Sequence, residues 1–207
     1  LVDEYENGDP RLPCTVYADG VIGLGRAQEI DFPSANETGY LNRKAATLAP
    51  NPTKAGDQNI RKMRYADVLL MHAEAAYHLG NEAVALAIIN QIRDRARNAS
   101  HPKGSTEGKL TYESYPAGEK DGVLPTINAT GTDLLDAIYH ERRTEFGMEA
   151  LRTWDLIRTG RFIQRLAPEF QSGAQTHSIG GYNHPVPVLP IPIDEEQSWG
   201  LTQNPGY

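Results

Sequence analysis

The sequence predicts an all-α protein in which paired helices carry long irregular loops and a Pro-rich extended C-terminal tail. Three observations predict it. Residues 64–97 repeat apolar side chains at helical steps on both sides of a tight turn. Residues 132–166 repeat the pattern more loosely. Between and around these stretches, 14 Pro and 19 Gly in 207 residues break regular structure.

Within 64–97, Ala66, Leu69, Leu70, Ala73, Ala76 and Tyr77 recur at three- and four-residue steps, while Asp67, Glu74 and His78 fall largely on the other side. Gly80 stands where a helix takes a left-handed C-terminal residue, and Asn81 follows as an N-cap with Glu82 in the first turn. Val84, Ala85, Ile88, Ile89, Ile92 and Ala96 then form a second stripe, closed by Arg93, Arg95 and Arg97. A helix of about fifteen residues is marginal alone, so the two stripes are expected to face each other. Small residues at 66, 73, 76, 83, 85 and 87 are expected to let the helices approach closely.

The flanks read differently. Residues 1–58 show no sustained period; Thr15-Val16-Tyr17 and Val21-Ile22 suggest a hairpin turning at Asp19-Gly20, and 40–44 another extended piece. Residues 99–131 form a long loop, a kind that is usually functional or covers the core. Thr132 or Asp133 is expected to cap a helix over about 133–147, broken by Gly147 and followed by one over 149–160 that ends at Gly160. Residues 167–207 carry no helical signal, and Pro185, Pro187, Pro190 and Pro192 force extended chain. The expected organisation is one domain over 1–207: a loop-rich flank (1–58), a helical hairpin (59–98), a long loop (99–131), a second helical pair (132–166) and an extended tail (167–207).

Composition narrows the function. A net charge of −7 and a pI near 5.4, with no basic stripe, argue against nucleic-acid binding. No apolar run approaches the length of a membrane span. Cys14 is the lone cysteine and has no internal disulfide partner. The chain opens on Leu1, with no signal sequence, so a processed chain or an excised fragment is expected.

The densest charged stretch is His140-Glu141-Arg142-Arg143-Thr144-Glu145, followed by Glu149, Arg152, Asp155, Arg158 and Arg161. Glu141 and Glu145 share a helix face and have the chemistry of a glycosidase acid–base pair. Beside several guanidiniums, however, carboxyl pKa values fall, which opposes a general acid. The favoured reading is a lattice in which Arg142, Arg143 and Arg152 pair with them. Thr144 stands where a zinc-protease signature needs its second His, and Gly23-Leu24-Gly25 lacks the rest of a dinucleotide loop. No catalytic residue, metal or cofactor is expected. There remain the loop aromatics Tyr17, Tyr40, Tyr112, Tyr115, Tyr182 and Trp199, whose faces suit the C–H face of a sugar; individually, each is more simply read as a plug on the core.

Four blocks carry a family resemblance. They are Val2 to Arg11 ("E-x-G-D-P-R"), Arg64 to Ala75 ("R-Y-A-D-V-L-L-x-x-A-E-A"), Ile138 to Phe146 with Arg152 to Arg158, and the closing Leu189-Pro190-Ile191-Pro192 with Leu201 to Tyr207 ("Q-N-P-G-Y"). In this order they resemble the C-terminal half of the SusD/RagB family of outer-membrane nutrient-binding lipoproteins. The resemblance implies an all-α fold of tetratricopeptide-like helical hairpins, and Leu79-Gly80-Asn81-Glu82-Ala83 looks like such a turn. It also implies non-catalytic capture of glycans, or sometimes peptides, at the bacterial surface, and delivery to a SusC-like TonB-dependent transporter. A lipid anchor and signal peptide outside this chain would be its only link to the membrane. The family has no fixed ligand motif, so Tyr40, Tyr112 and Tyr115 are candidate glycan-stacking residues on chemistry alone. The alternative is a tetratricopeptide-like scaffold whose ligand is another protein.

Overall fold

The computed structural model describes residues 1–18, 39–45, 61–106, 109–113, 122–165 and 189–204, with residues 18, 101–106 and 109–113 described as backbone. The chain divides into two compact units, Leu1–Glu149 and Ala150–Tyr207. The first unit is built on the hairpin of α2 (Tyr65–His78) and α3 (Glu82–Asn98). Its turn follows from Gly80 at φ +78°. With that residue left-handed, the Gly80 N–H reaches Tyr77 O (2.9 Å) and the Asn81 N–H reaches Ala76 O (2.8 Å), so the last carbonyls of α2 are satisfied. Asn81 caps α3 through its main chain: its carbonyl takes the N–H groups of Val84 and Ala85, and its side chain makes no cap bond.

The inner faces follow the predicted periodicity with two exceptions: Val84, expected in the stripe of α3, is exposed, and Asp67, expected on the other side of α2, is buried. Leu70 and Ala73 of α2 and Ala85, Ile89 and Ile92 of α3 are buried, as are Leu134 and Ile138 of α4 (Gly131–Glu145), which packs across both helices. Full burial of each leucine or isoleucine contributes about 2 kcal/mol. Ala66, Ala73, Ala76 and Ala85 are buried and permit the close approach, but Ala83 and Ala87 point outward and take no part in it. The outward face of α2 is also apolar: Tyr65, Val68, Met71 and Leu79 are exposed there.

The segment before α4 covers the core. Leu124 is fully buried, and the polar face of α3 clips the segment in place. Arg97 donates to Leu124 O (2.7 Å) and Arg93 Nε to Pro125 O (3.0 Å). Asn90 exchanges two bonds with the Ile127 main chain, at 2.9 and 2.8 Å. Glu82 accepts from the Gly131 N–H, so it serves the start of α4.

Several boundaries differ from expectation. α4 starts two residues before the expected 133, after Thr130, and stops at Glu145. Met148 (φ 63°) and Ala150 (φ 62°) are left-handed, which bars helix across 146–150. The next helix, α5, spans Arg152–Arg158, inside the expected 149–160. The short helix α1 (Arg11–Thr15) leads into β1 (Val16–Ala18), whose partner is β2 (Tyr40–Asn42). The expected turn at Asp19-Gly20 and the Val21-Ile22 strand lie outside the described residues. Part of the long loop is a second ladder, β3 (His101–Thr106) against β4 (Lys109–Glu113), irregular between Pro102 and Gly104.

In the second unit the tail is helical where none was expected. α6 spans Ile193–Trp199. Pro192 precedes its first residue, where a missing N–H is harmless, and Asp194, Glu195 and Glu196 suit its positive end. The chain then folds back. Gln203 accepts from the Ile191 N–H (2.7 Å) and donates to Ile191 O (2.9 Å), while Asn204 donates to Leu189 O (2.7 Å). The two closing sequence blocks thus bind each other. Among the described residues, no helix is long and apolar enough to cross a membrane.

Candidate functional site

The charged stretch of α4 is the centre of a buried ionic lattice. Glu141 is fully buried. It lies between Arg11, whose Nη1 binds Oε1, and Arg93, whose Nη1 is 3.2 Å from Oε2. Each guanidinium has a second carboxylate. Arg11 grips Asp9 (Nη2–Oδ2 2.8 Å) and Arg93 grips both oxygens of Glu6 (2.6 and 2.9 Å). Such paired, fork-like contacts are what make burial of these charges tolerable.

One turn further on, Glu145 receives Arg64 Nη1 (2.9 Å) and Arg95 Nη2 (2.7 Å), with Arg11 at 3.5 Å. Glu149 receives Arg64 Nη2 (2.8 Å) and Lys44 Nζ (2.7 Å). Lys44 and Arg64 also donate to the Glu145 carbonyl, capping α4 with cations at its negative end. The Arg64 and Arg142 guanidiniums both lie over the Phe146 ring, 4.5 and 5.0 Å from its centre.

The expected partners therefore need correction. Arg142 goes to Asp67 of α2 (2.5 Å), and Arg143 lies 4.0 Å from Glu4. The cations on Glu141 and Glu145 come from α1, α3 and the residue before α2, while Arg143 is directed at the N-terminal segment. Further along, Asp155 pairs with Arg158 (2.9 Å), and Glu149 turns back to Lys44 and Arg64.

The electrostatics oppose acid catalysis at Glu145. Burial pushes its carboxyl pKa up, but Arg95 and Arg64 outweigh burial and hold it below the ordinary value. The same balance lowers Glu149 through Arg64 and Lys44. Burial disfavours the Arg11 charge, yet Asp9 and Glu141 more than compensate and its pKa is raised. A general acid requires the opposite environment.

The aromatic candidates divide. Tyr17 is buried with the Arg43 guanidinium over its ring at 5.0 Å, so it is a core plug. Tyr40 is 37% exposed on β2. Tyr112 pairs with Pro102 in the β3–β4 ladder, whereas Tyr40 belongs to the β1–β2 ladder. Tyr115 and Tyr182 lie outside the described residues. Trp199 is exposed on α6. Sequence reasoning passed over Tyr65 and Trp154, whose rings are also exposed. The signal was present for Tyr65, which falls off the buried 66, 70, 73, 76 stripe.

Comparison with known proteins gives a consistent result. A model of the SusD family matches residues 2–207. Three curated proteins of Formosa agariphila are similar. SusD-like protein P38 is 33% identical over 54% of this chain and 19% of its own length. SusD-like protein P2 is 29% identical over 78% of this chain and 28% of its own length. SusD-like protein P25 is 30% identical over 65% of this chain and 21% of its own length. The matched stretches span less than a third of each relative. With the family model matching from the second residue to the last, on a helical fold, the chain belongs to the SusD family.

Proposed function

We propose that this chain is the C-terminal, single-domain portion of a surface protein that binds oligo- or polysaccharide without transforming it. That protein passes the glycan to a SusC-like TonB-dependent transporter in the outer membrane, where it is held as a lipoprotein by an anchor outside this chain. The observation that carries this reading is the family match over residues 2–207. The buried lattice supports it from the chemical side, since Glu141 and Glu145 are committed to guanidiniums and turned inward. Tyr40, Tyr112 and Tyr115 are the proposed stacking platforms, and no cofactor takes part.

Isothermal titration of the full-length protein against a glycan panel tests the reading. Binding is expected, weakened about three- to tenfold by Tyr40→Ala, Tyr112→Ala or Tyr115→Ala. Failure to bind any glycan or peptide would overturn it. A TonB-dependent barrel encoded next to this gene would support the transporter assignment.

A second reading, a tetratricopeptide-like scaffold for a protein ligand, is favoured by the outward apolar face of α2, with Tyr65, Val68, Met71 and Leu79 exposed. Its signature is a partner recovered by wild type, lost with Tyr65→Ser and Leu79→Ser, and unrelated to a barrel transporter.

A further inference from the structure

The N-terminal segment is fastened to the helices by contacts of two kinds. Tyr5 is buried, and its hydroxyl donates to Thr144 O (2.8 Å) and Thr15 Oγ1 (3.2 Å). Glu6 takes both terminal nitrogens of Arg93. Neither group changes charge near neutrality. Burial pushes the Tyr5 phenol up, and the bond from Arg93 holds the Glu6 carboxyl down. The helical turn ahead of them, Val2–Glu4, is held differently. The Glu4 carboxylate lies 3.4 Å from Nδ1 of His140 and 4.0 Å from Nε of Arg143, both on α4. The turn is closed by the N–H of Glu4 on Leu1 O and the N–H of Tyr5 on Val2 O, each at 3.1 Å.

We propose that His140 is a proton-operated clasp for residues Leu1–Glu4, closing the turn onto α4 when the imidazole is charged and releasing it when neutral. The charged groups around the imidazole come from every neighbouring element. Glu4 and Glu6 face it from the N-terminal segment, Glu141 and Arg143 flank it on α4 with Asp136 one turn back, and Arg93 of α3 and Arg11 of α1 stand behind Glu141. The hydrogen bond with Glu4 leads in favour of the charged form, burial opposes it, and Glu141 and Glu6 add to Glu4. The balance lifts the imidazole above its ordinary value of 6.5. Its contribution is therefore complete below about 6.5 and is lost as pH rises through the higher folded value. Release is partial, because Tyr5 and Glu6 stay attached. What it uncovers is the end of α4: the Leu1 side chain lies against Gly147, within 3.3 Å of where a Cβ would stand.

Amide hydrogen exchange of the full-length protein at about pH 5.5 and 8.5, corrected for intrinsic exchange, reads the clasp at Glu4 and Tyr5. Wild-type protection there is expected to fall about threefold between the two values, the scale of a half-exposed ion pair. His140→Gln is expected to give the low value at both, and His140→Lys, charged throughout, the high value at both. Equal wild-type protection at the two pH values would overturn the proposal, as would a pH dependence that survives in His140→Gln. If a His140 variant lost protection across α2 and α3 as well, Glu4→Gln would decide the matter, since it removes the other half of the pair at a half-exposed position. Its protection at Tyr5 must be low and pH-independent.

Discussion

Glu141 shows how much one side chain can hold in place. It is fully buried, and its two oxygens face guanidiniums from α1 and α3. Glu141→Gln keeps the shape and removes the charge, which leaves Arg11 with Asp9 and the more distant Glu145, and Arg93 with Glu6. A loss of about 3 kcal/mol in urea unfolding is expected. An unchanged unfolding midpoint would show that the lattice contributes nothing net. Gly147 is a second sensitive position for a steric reason. A Cβ there would sit 2.5 Å from the Tyr5 hydroxyl and 3.0 Å from Thr15 Cγ2, neither able to retreat without giving up a buried bond. Gly147→Ala is expected to cost about 2 kcal/mol, read as a lower melting temperature. At this scale the sequence was partly legible. The carboxylates of α4 announced an ionic lattice, but their partners did not, since Arg11 and Arg93 lie 130 and 48 residues away and nothing local points to them.

The elements were legible in proportion to how local their causes are. The α2–α3 hairpin is written in a 3.6-residue period and one glycine, and it forms as read. Its turn offers a clean test: Gly80 has a φ of +78° and nothing within 4 Å of a built Cβ. Gly80→Ala is therefore a pure backbone change, expected to cost about 1 kcal/mol in chemical denaturation, with Gly80→Asn costing less. A neutral Gly80→Ala would mean that the turn relaxes to another geometry. α6 was missed because prolines dominate the stretch before it; its seven residues carry too short a period to see, and its acidic first turn was the overlooked signal. The β1–β2 pairing was missed because the strands are far apart in sequence. Tyr40 is exposed, as its place in a loop-rich stretch with no apolar period around it suggests, while the side chain of Tyr112 and the whole of Tyr115 lie outside the described residues.

Taken whole, the Leu1–Glu149 unit is tied by charge across long sequence distances. Glu6–Arg93, Arg64–Glu145 and Asp67–Arg142 join residues separated by 87, 81 and 75 positions. Its response to acid follows. The carboxyls of Glu145, Glu149 and Glu6 are all lowered from 4.5, so each stabilises the fold fully above that value and loses its effect as pH falls through its own folded pKa. Melting temperature is expected to stay nearly level between about pH 7 and 5 and then to drop below about 4.5. A steady decline beginning near pH 6 would assign the loss to another group.

The Ala150–Tyr207 unit is closed by a side-chain amide. Gln203 presents its oxygen to the Ile191 N–H and its nitrogen to the Ile191 carbonyl, with Glu196 Oε2 3.4 Å from that same nitrogen. Hydrolytic deamidation during storage would place a carboxylate oxygen where the nitrogen stands, opposite a carbonyl and a second carboxylate. Acceptor would then meet acceptor, and the fold-back would open. A Gln203→Glu variant, which carries that lesion from the start, should show an Ile191 amide that exchanges freely, so the closure of the tail depends on which atom one side chain presents to a single carbonyl.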